Sequence, residues 1–386
     1  MSIESFSDHH PDVALEPADR ERLLRALKEI FGYERLRPGQ ETALAHVMAG
    51  RNLLAVMPTG AGKSICYQLP AVTGGGLTVV VSPLIALMRD QVAALRAAGV
   101  EAGSLNSATD PAERERILSA LQEGRLRLLY LSPERLASGD AVRMLERADV
   151  RLLAIDEAHC VSQWGHDFRP HYRLLEQMIK TLPDGLRLLA TTATANNRVV
   201  EDLHTVLGPN LGLSRGELSR PSLTLQTIKL GGQAERLAWL AEYVPQIEGN
   251  GIIYTLTVRD AEMVARWLKS RGIEVESYSG DMTEGRAELE QALLDNQLKT
   301  LVSTTALGMG FDKPDLAFVI HYQAPGSVVA YYQQVGRAGR ALESARGVLL
   351  SGSEETDITN YFIDSAFPTR AEVESVLMAL SSSDDG

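Results

Sequence analysis

The stretch that most constrains this chain is Met57-Pro58-Thr59-Gly60-Ala61-Gly62-Lys63-Ser64. Ahead of it, Leu53-Leu54-Ala55-Val56 is apolar and of strand length; behind it, Ile65-Cys66-Tyr67-Gln68-Leu69 can open a helix. Strand, glycine-bearing loop, Gly-Lys-Ser and helix is the order that a phosphate-cradling loop requires. Gly60 and Gly62 let the backbone curl so that successive N–H groups point at one anion, and the helix N-terminus adds partial positive charge. Thr59, Gly60, Ala61 and Gly62 then form the cradle, Lys63 places its ammonium on the β- and γ-phosphates, and the Ser64 hydroxyl ligates Mg²⁺. The strict pattern begins with Gly, where this chain has Met57. An isolated Gly-Lys-Ser is as readily an ordinary turn, so the reading depends on a second half of the site.

That half follows Leu152-Leu153-Ala154-Ile155, an apolar strand ending in Asp156-Glu157-Ala158-His159. A carboxylate at the strand end, Asp156, suits Mg²⁺, and Glu157 is placed to orient and deprotonate an attacking water. Adjacent acids in a random setting form a solvated turn; after a buried strand and downstream of a P-loop the chemical roles prevail. Further on, Gln333-Gln334-Val335-Gly336-Arg337-Ala338-Gly339-Arg340 sets two arginines three apart, which in a helix is one face. Arg337 and Arg340 can meet a γ-phosphate bidentately, a contribution on the order of 10³–10⁵ in rate for arginine fingers.

The surrounding chain alternates apolar runs of strand length with amphipathic helical stretches. Candidate strands are 53–56, 77–82, 126–131, 152–155 and 186–190, then 252–255, 274–278, 300–303, 317–321 and 347–350, with helices such as 111–122, 260–271 and 284–296 between them. Such alternation predicts parallel sheets covered on both faces, with ligands at the carboxyl ends of the strands. Residues 1–17 read as a loose acidic leader, 18–208 as the first domain, 209–222 as a Gly, Pro and Ser-rich linker, 223–356 as the second domain and 357–386 as a helical extension. Two α/β lobes on a short linker predict a cleft that couples chemistry to motion.

Composition narrows the setting. The 386 residues are 45% apolar, enough for two ordinary cores. No apolar run approaches the roughly 20 residues of a membrane span, and the N-terminus lacks a signal-peptide pattern. Two cysteines, Cys66 and Cys160, read as buried packing residues; they exclude a disulfide framework and a four-thiolate zinc site, so a reducing cytoplasmic setting and no zinc are expected. His9-His10 reads as part of a solvated tail rather than a metal site. The net charge of −12 argues mildly against nucleic acid, although a local basic groove counts for more than the sum.

Together these residues resemble the superfamily 2 helicases, and within them the RecQ family of DNA helicases, from about Leu23 to about Leu350. Phe31-Gly32-Tyr33-Glu34-Arg35-Leu36-Arg37-Pro38-Gly39-Gln40 is similar to the family's adenine-recognition segment; by that match Tyr33 stacks on adenine with Arg37, and Gln40 bonds its edge. Ser82–Gln91 resembles motif Ia, implying DNA contacts from Arg89 and Gln91; Ser132–Arg135 resembles motif Ib and Leu189–Ala195 motif III. Ser303–Pro314 resembles motif V, with Thr304 on the DNA side, and Gln333–Arg340 motif VI, which gives Gln333 a catalytic role beside the arginines. The run from Cys160 to Tyr172 resembles the family's aromatic-rich loop. Its Trp164, Phe168 and Tyr172 offer faces to unpaired bases, about 1–3 kcal/mol per stack, and Arg169 a phosphate contact.

The chain departs from the family pattern at Ala341 and at Tyr278-Ser279-Gly280-Asp281-Met282, and the resemblance does not extend to the family's four-cysteine zinc subdomain or winged helix. It implies two RecA-like domains of the P-loop NTPase class in tandem, ATP and Mg²⁺ between them, and translocation 3′-to-5′ on single-stranded DNA with unwinding of duplex DNA in recombination and repair. The rival readings are an RNA helicase of the same superfamily, and a nucleotide-gated DNA-binding or remodelling module that clamps without unwinding.

Overall fold

The computed structural model describes residues 13–136, 139–162, 170–181, 185–217, 220–282, 284–308, 311 and 313–352, with a few positions between 370 and 378. The chain forms two compact α/β units, the first ending at Arg220 and the second running from Pro221 to Gly308 and resuming at Lys313. In the first, seven strands, β1 (Leu53–Val56), β2 (Leu77–Val81), β3 (Ala102–Leu105), β4 (Leu128–Leu131), β5 (Val150–Ile155), β6 (Arg187–Thr192) and β7 (Gly212–Arg215), are ordered β3-β4-β2-β5-β6-β1-β7. In the second, β8 (Leu223–Lys229), β9 (Asn250–Tyr254), β10 (Val275–Tyr278), β11 (Thr300–Ser303), β12 (Leu316–His321) and β13 (Ala345–Ser351) are ordered β10-β11-β9-β12-β13-β8. Every pairing in both sheets is parallel.

Central strands are apolar throughout because both faces of the sheet are covered. Leu54, Val56, Val79, Val81, Leu153 and Ile155 enter one core of the first unit, while Leu53, Ala55, Val80, Leu152 and Ala154 enter the core on the opposite face. That is the period-two alternation of strands expressed in two cores. The covering helices of this unit are α1 (Pro17–Phe31), α2 (Gln40–Met48), α3 (Ile65–Thr73), α4 (Ile85–Ala97), α5 (Pro111–Gln122), α6 (Pro133–Leu136), α7 (Gly139–Glu146), α8 (Leu174–Thr181) and α9 (Asn197–Leu207). The second unit adds α10 (Gln233–Tyr243), α11 (Val258–Ser270), α12 (Arg286–Leu294) and α13 (Val328–Val335). Local chemistry sets several starts: the Asp110 carboxylate accepts from Glu113 N at 2.9 Å, Thr257 Oγ1 from Asp260 N at 3.1 Å, and Ser327 Oγ from Ala330 N at 3.1 Å.

Three strands escape the sequence reading. β3 is Ala-Gly-Ser-Leu, and its Gly103 is required because a Cβ there would fall 2.6 Å from Ile117 Cγ1. β7 lies inside the expected linker, yet it is an edge strand beside β1, fixed by Gly212 N to Asn52 O (3.0 Å) and Gly216 N to Val56 O (2.8 Å). β8 borders the same segment and is an exposed edge strand on β13. The linker is therefore shorter than residues 209–222. The expected helical extension, 357–386, lies outside the described residues apart from isolated positions.

One polar cluster is built into the second core. His321, at the end of β12, is stacked on Tyr254 (5.6 Å between ring centroids) and tilted against Tyr331 (4.9 Å), with Nε2 2.7 Å from Gln334 Oε1 of α13. Burial pulls its pKa from 6.5 down to about 4, against a smaller raising effect from Gln334. Its native pKa is depressed, so between about pH 6.5 and 4 the unfolded chain takes up a proton that the folded one refuses, and stability falls as pH falls through that window. The urea midpoint of the second unit should drop on acidification, by at most roughly 3 kcal/mol of stability. His321→Phe should flatten this dependence; an unchanged slope would contradict it.

Candidate active site

The parallel order of the first sheet brings three strand ends together. β6 lies between β5 and β1, so the loop after β1 and the acids after β5 flank Thr191 and Thr192 at the end of β6. Met57 N bonds Thr192 O at 2.9 Å, extending the β1–β6 ladder one residue past the strand. Met57, which stands where the strict pattern has Gly, is buried, with Sδ accepting from Cys66 Sγ at 4.0 Å. The loop then turns through Gly60 (φ 82°) and Gly62 (φ 77°), and Ser64 opens α3 without a side-chain cap. At Gly62 both the left-handed φ and the Gln40 amide, into which a Cβ would run, demand glycine.

Asp156 is buried, and its Oδ1 accepts from Thr191 Oγ1 (3.1 Å) and from Glu157 N (3.0 Å). Glu157 sits at φ 47°, a left-handed conformation uncommon for a residue with a side chain. This turn sends its carboxylate to within 4.0 Å of Lys63 Nζ and 3.3 Å of His159 Nδ1, which also lies 3.0 Å from Thr192 Oγ1. Burial, then the Glu157 charge, push Asp156 up to about 6, against the lowering effects of Lys63, Thr191 and the backbone bond. Two carboxylates and one ammonium in a largely buried cluster leave a negative excess. Such a donor set suits a divalent cation, with Ser64 and Asp156 as the available oxygen ligands. Among the described residues no group of three or more His, Cys, Asp or Glu could by itself hold a metal ion.

Gln40 is buried and ties the segment ahead of α2 to the loop: its Nε2 donates to Ala61 O and Gly62 O, both at 3.0 Å, and its Oε1 accepts from Arg37 N at 2.7 Å. Arg37 Nη1 also donates to Gly60 O. Tyr33 follows the left-handed cap of α1 at Gly32 and is 51% exposed.

Two residues read as DNA contacts turn inward instead. Gln91 donates from Nε2 to Ser64 Oγ (2.9 Å) and accepts at Oε1 from Tyr67 OH (3.2 Å), because position 91 shares the buried face of α4 with Met88, Val92 and Leu95. Tyr172 is fully buried in the core with its hydroxyl donating to Asp156 O at 3.2 Å, so neither ring face is offered to a base. Arg89, on the outer face of α4, is exposed beside Asp90. Trp164, Phe168 and Arg169 lie outside the described residues. The two cysteines are buried, and burial raises the Cys66 thiol to about 12, consistent with packing rather than reactivity.

In the second unit Gln333 is half-buried on α13, whereas Arg337 and Arg340 lie in the turn beyond that helix rather than on a helical face. The turn is pinned to the start of β12 by Gly339 N to Leu316 O and Ala341 N to Pro314 O, both 2.8 Å. Burial raises the Tyr254 hydroxyl, against smaller lowering effects of the Arg337 and Arg340 charges, and Tyr254 OH donates to Leu307 O at 2.9 Å. Thr304 is half-buried after β11, its Oγ1 accepting from Ala306 N at 3.3 Å.

Residues 37–203 match the DEAD/DEAH box helicases, and residues 235–342 match the helicase conserved C-terminal domain. The chain is 41% identical over 342 residues to the ATP-dependent DNA helicase RecQ of Bacillus subtilis, covering 88% of this chain and 57% of that protein. It is 40% identical over 376 residues to the RecQ of Synechocystis, covering 92% of this chain and 78% of that protein. The chain belongs to the RecQ family of superfamily 2 helicases. It spans little more than half of the Bacillus relative's length. The structure of Mycobacterium smegmatis helicase Lhr bound to single-stranded DNA and AMP-PNP is similar at TM-score 0.68 and 21% identity, over 89% of this chain and 50% of that one. That likeness shows the two RecA-like domains in tandem.

Thr191 and Thr192 are the site residues that sequence reading passed over. Their signal was an apolar strand ending in two hydroxyls, in a segment resembling a RecQ motif. The buried charge has a measurable consequence. Because Asp156 titrates near 6 in the fold and near 3.8 when unperturbed, the folded state loses stability as pH rises through that window. Asp156→Asn keeps both hydrogen bonds to Oδ1 and removes the charge. It should melt higher than wild type at pH 8, by the order of 1–3 kcal/mol, with the gap closing towards pH 4. A lower melting temperature at pH 8 would contradict the buried-charge reading.

Proposed function

We propose that this chain is a DNA-dependent ATPase that translocates 3′-to-5′ on single-stranded DNA and unwinds duplex DNA in recombination and repair. The observation that carries the reading is the meeting of Lys63, Asp156 and Glu157 beside the Gly60–Gly62 turn in one buried cluster. Lys63 and the loop amides of Thr59 to Gly62 hold the phosphates; Ser64 and Asp156 hold Mg²⁺, which when bound offsets the phosphate charge. Glu157, oriented by Lys63 and His159, takes the proton of the attacking water. Tyr33 and Arg37 receive the adenine, and Gln40, whose amide is engaged by Ala61 O, Gly62 O and Arg37 N, holds that segment against the loop rather than meeting the base itself. Arg337 and Arg340, with Gln333 of the same segment, stabilise the charge that develops on the transferring phosphoryl group.

Arg89, Thr304 and the Trp164–Arg169 segment form the DNA side. Gln91 and Tyr172 are left out of that set because their polar atoms and faces are engaged inside the first unit. A cytoplasmic location, nucleoid-associated in a bacterium, follows from such a substrate. Among the described residues no helix is long and apolar enough to cross a membrane.

The test combines strand displacement on a 3′-tailed duplex with ATP turnover in the presence of single-stranded DNA or RNA of equal length. Saturable stimulation by DNA, together with displacement, is the expected result; stimulation by RNA alone would redirect the reading to an RNA motor, and turnover without displacement to a clamp. Lys63→Ala should lower turnover by on the order of 10²-fold or more with the fold retained. Trp164→Ala should raise the DNA concentration for half-maximal stimulation by roughly 5- to 100-fold while basal turnover persists. An unchanged DNA titration would return that loop to packing.

A further inference from the structure

Helix α4 has two working sides. Its outer side carries Arg89 and Asp90, both exposed; its inner side carries Met88, Val92 and Leu95 into the core, with Gln91 half-buried among them. Successive helical residues are about 100° apart, so Arg89 and Gln91 point in nearly opposite directions. Gln91 ends on the hydroxyl of Ser64, with its Nε2 2.9 Å from Ser64 Oγ. The other end of the same amide is fixed by Tyr67 OH at 3.2 Å, and Tyr67 is fully buried on α3, edge-on to Tyr130 at 6.4 Å. Tyr130 OH in turn accepts from Gln68 Nε2 at 2.9 Å.

The amide is thus held at both ends inside the first unit. Its partner is the hydroxyl that the proposed function gives to the metal. A hydroxyl that lends its lone pair to a cation still has a proton to place. A primary amide can serve either need, because turning it over exchanges donor for acceptor. Tyr67 OH accommodates the exchange, since a phenol both donates and accepts.

We propose that Gln91 is a positioning residue for the metal: it aims the Ser64 hydroxyl and, turned over, accepts that hydroxyl's hydrogen bond when the cation binds, and so ties helix α4, whose opposite side bears Arg89, to the nucleotide site. This rests on the nucleotide reading of the site and deepens it. It gives a mechanical route by which nucleic acid bound along the outside of α4 alters metal affinity, through a rigid helix and one amide rather than through the sheet.

The test measures binding of a fluorescent ADP analogue to the full chain in excess Mg²⁺ and in EDTA, and takes the ratio of the two dissociation constants. The ratio cancels any general loss of nucleotide affinity. In Gln91→Met, of similar length without hydrogen-bonding groups, the Mg²⁺-dependent tightening should shrink about fivefold, the worth of one net hydrogen bond. In the Ser64→Ala background the same substitution should change the ratio by less than twofold, because its target is gone. Tyr67→Phe, which frees one end of the amide, should act in the same direction and more weakly, and it stands in if the Met variant does not fold. A wild-type ratio in Gln91→Met, or a loss that simply adds to that of Ser64→Ala, would overturn the assignment. If wild type itself shows no tightening with Mg²⁺, the nucleotide reading fails first and this one with it.

Discussion

Asp156 and Glu157 stand side by side at the end of a buried strand, and their repulsion is only partly offset by Lys63. Holding one of them ionised under burial costs the folded chain up to roughly 3 kcal/mol, a large share of what a domain of this kind has in hand. A fold keeps such a charge when something other than stability selects it. The neighbours are arranged to limit that cost: Thr191 and the Glu157 N–H donate to Asp156, while Lys63 and His159 flank Glu157. The left-handed backbone at Glu157 is a second local cost at the same place.

The sheet order is what makes this arrangement possible. Parallel pairing puts all strand ends of one polarity on one edge, and the insertion of β6 between β5 and β1 sets two threonines between the acids and the phosphate loop. Thr191 reaches Asp156, Thr192 reaches His159, and the backbone of Thr192 receives Met57 N. One strand end therefore touches the acid pair and the loop together. A shift of β6 by a fraction of an ångström would be felt at both, a route from segment to segment that runs through hydrogen bonds rather than through bulk packing.

Much of this was legible in the sequence, and the remainder was hidden for physical reasons. Buried central strands read clearly, because Leu53–Val56 and Leu152–Ile155 are apolar on both faces and can be little else. Three of the four edge strands, β3, β7 and β8, did not: β7 is Gly-Leu-Ser-Arg and β8 exposes most of its side chains, so pairing, not propensity, makes them strands. The loop after β1 and the acid pair after β5 could be located in the sequence because each directly follows an apolar central strand, although only the sheet order brings them together. Side-chain direction was not. Gln91 lies in a segment similar to a DNA-contacting motif, yet the helical face it occupies turns it to Ser64. Tyr172, one of three aromatics read as base platforms, is core, its hydroxyl engaged by Asp156 O. The arginine pair was placed on a helix that ends at Val335, before either of them.

The proposed hydrolysis depends on what Glu157 does with a proton. The most direct measurement is single-turnover ATP hydrolysis by Glu157→Gln in saturating single-stranded DNA, alongside its affinity for a fluorescent nucleotide. The amide keeps the shape of the side chain and loses the base, so nucleotide should bind within a few-fold of wild type while hydrolysis falls by on the order of 10²–10⁴. Hydrolysis at the wild-type rate would show that the paired acids beside Lys63 are not the catalytic centre.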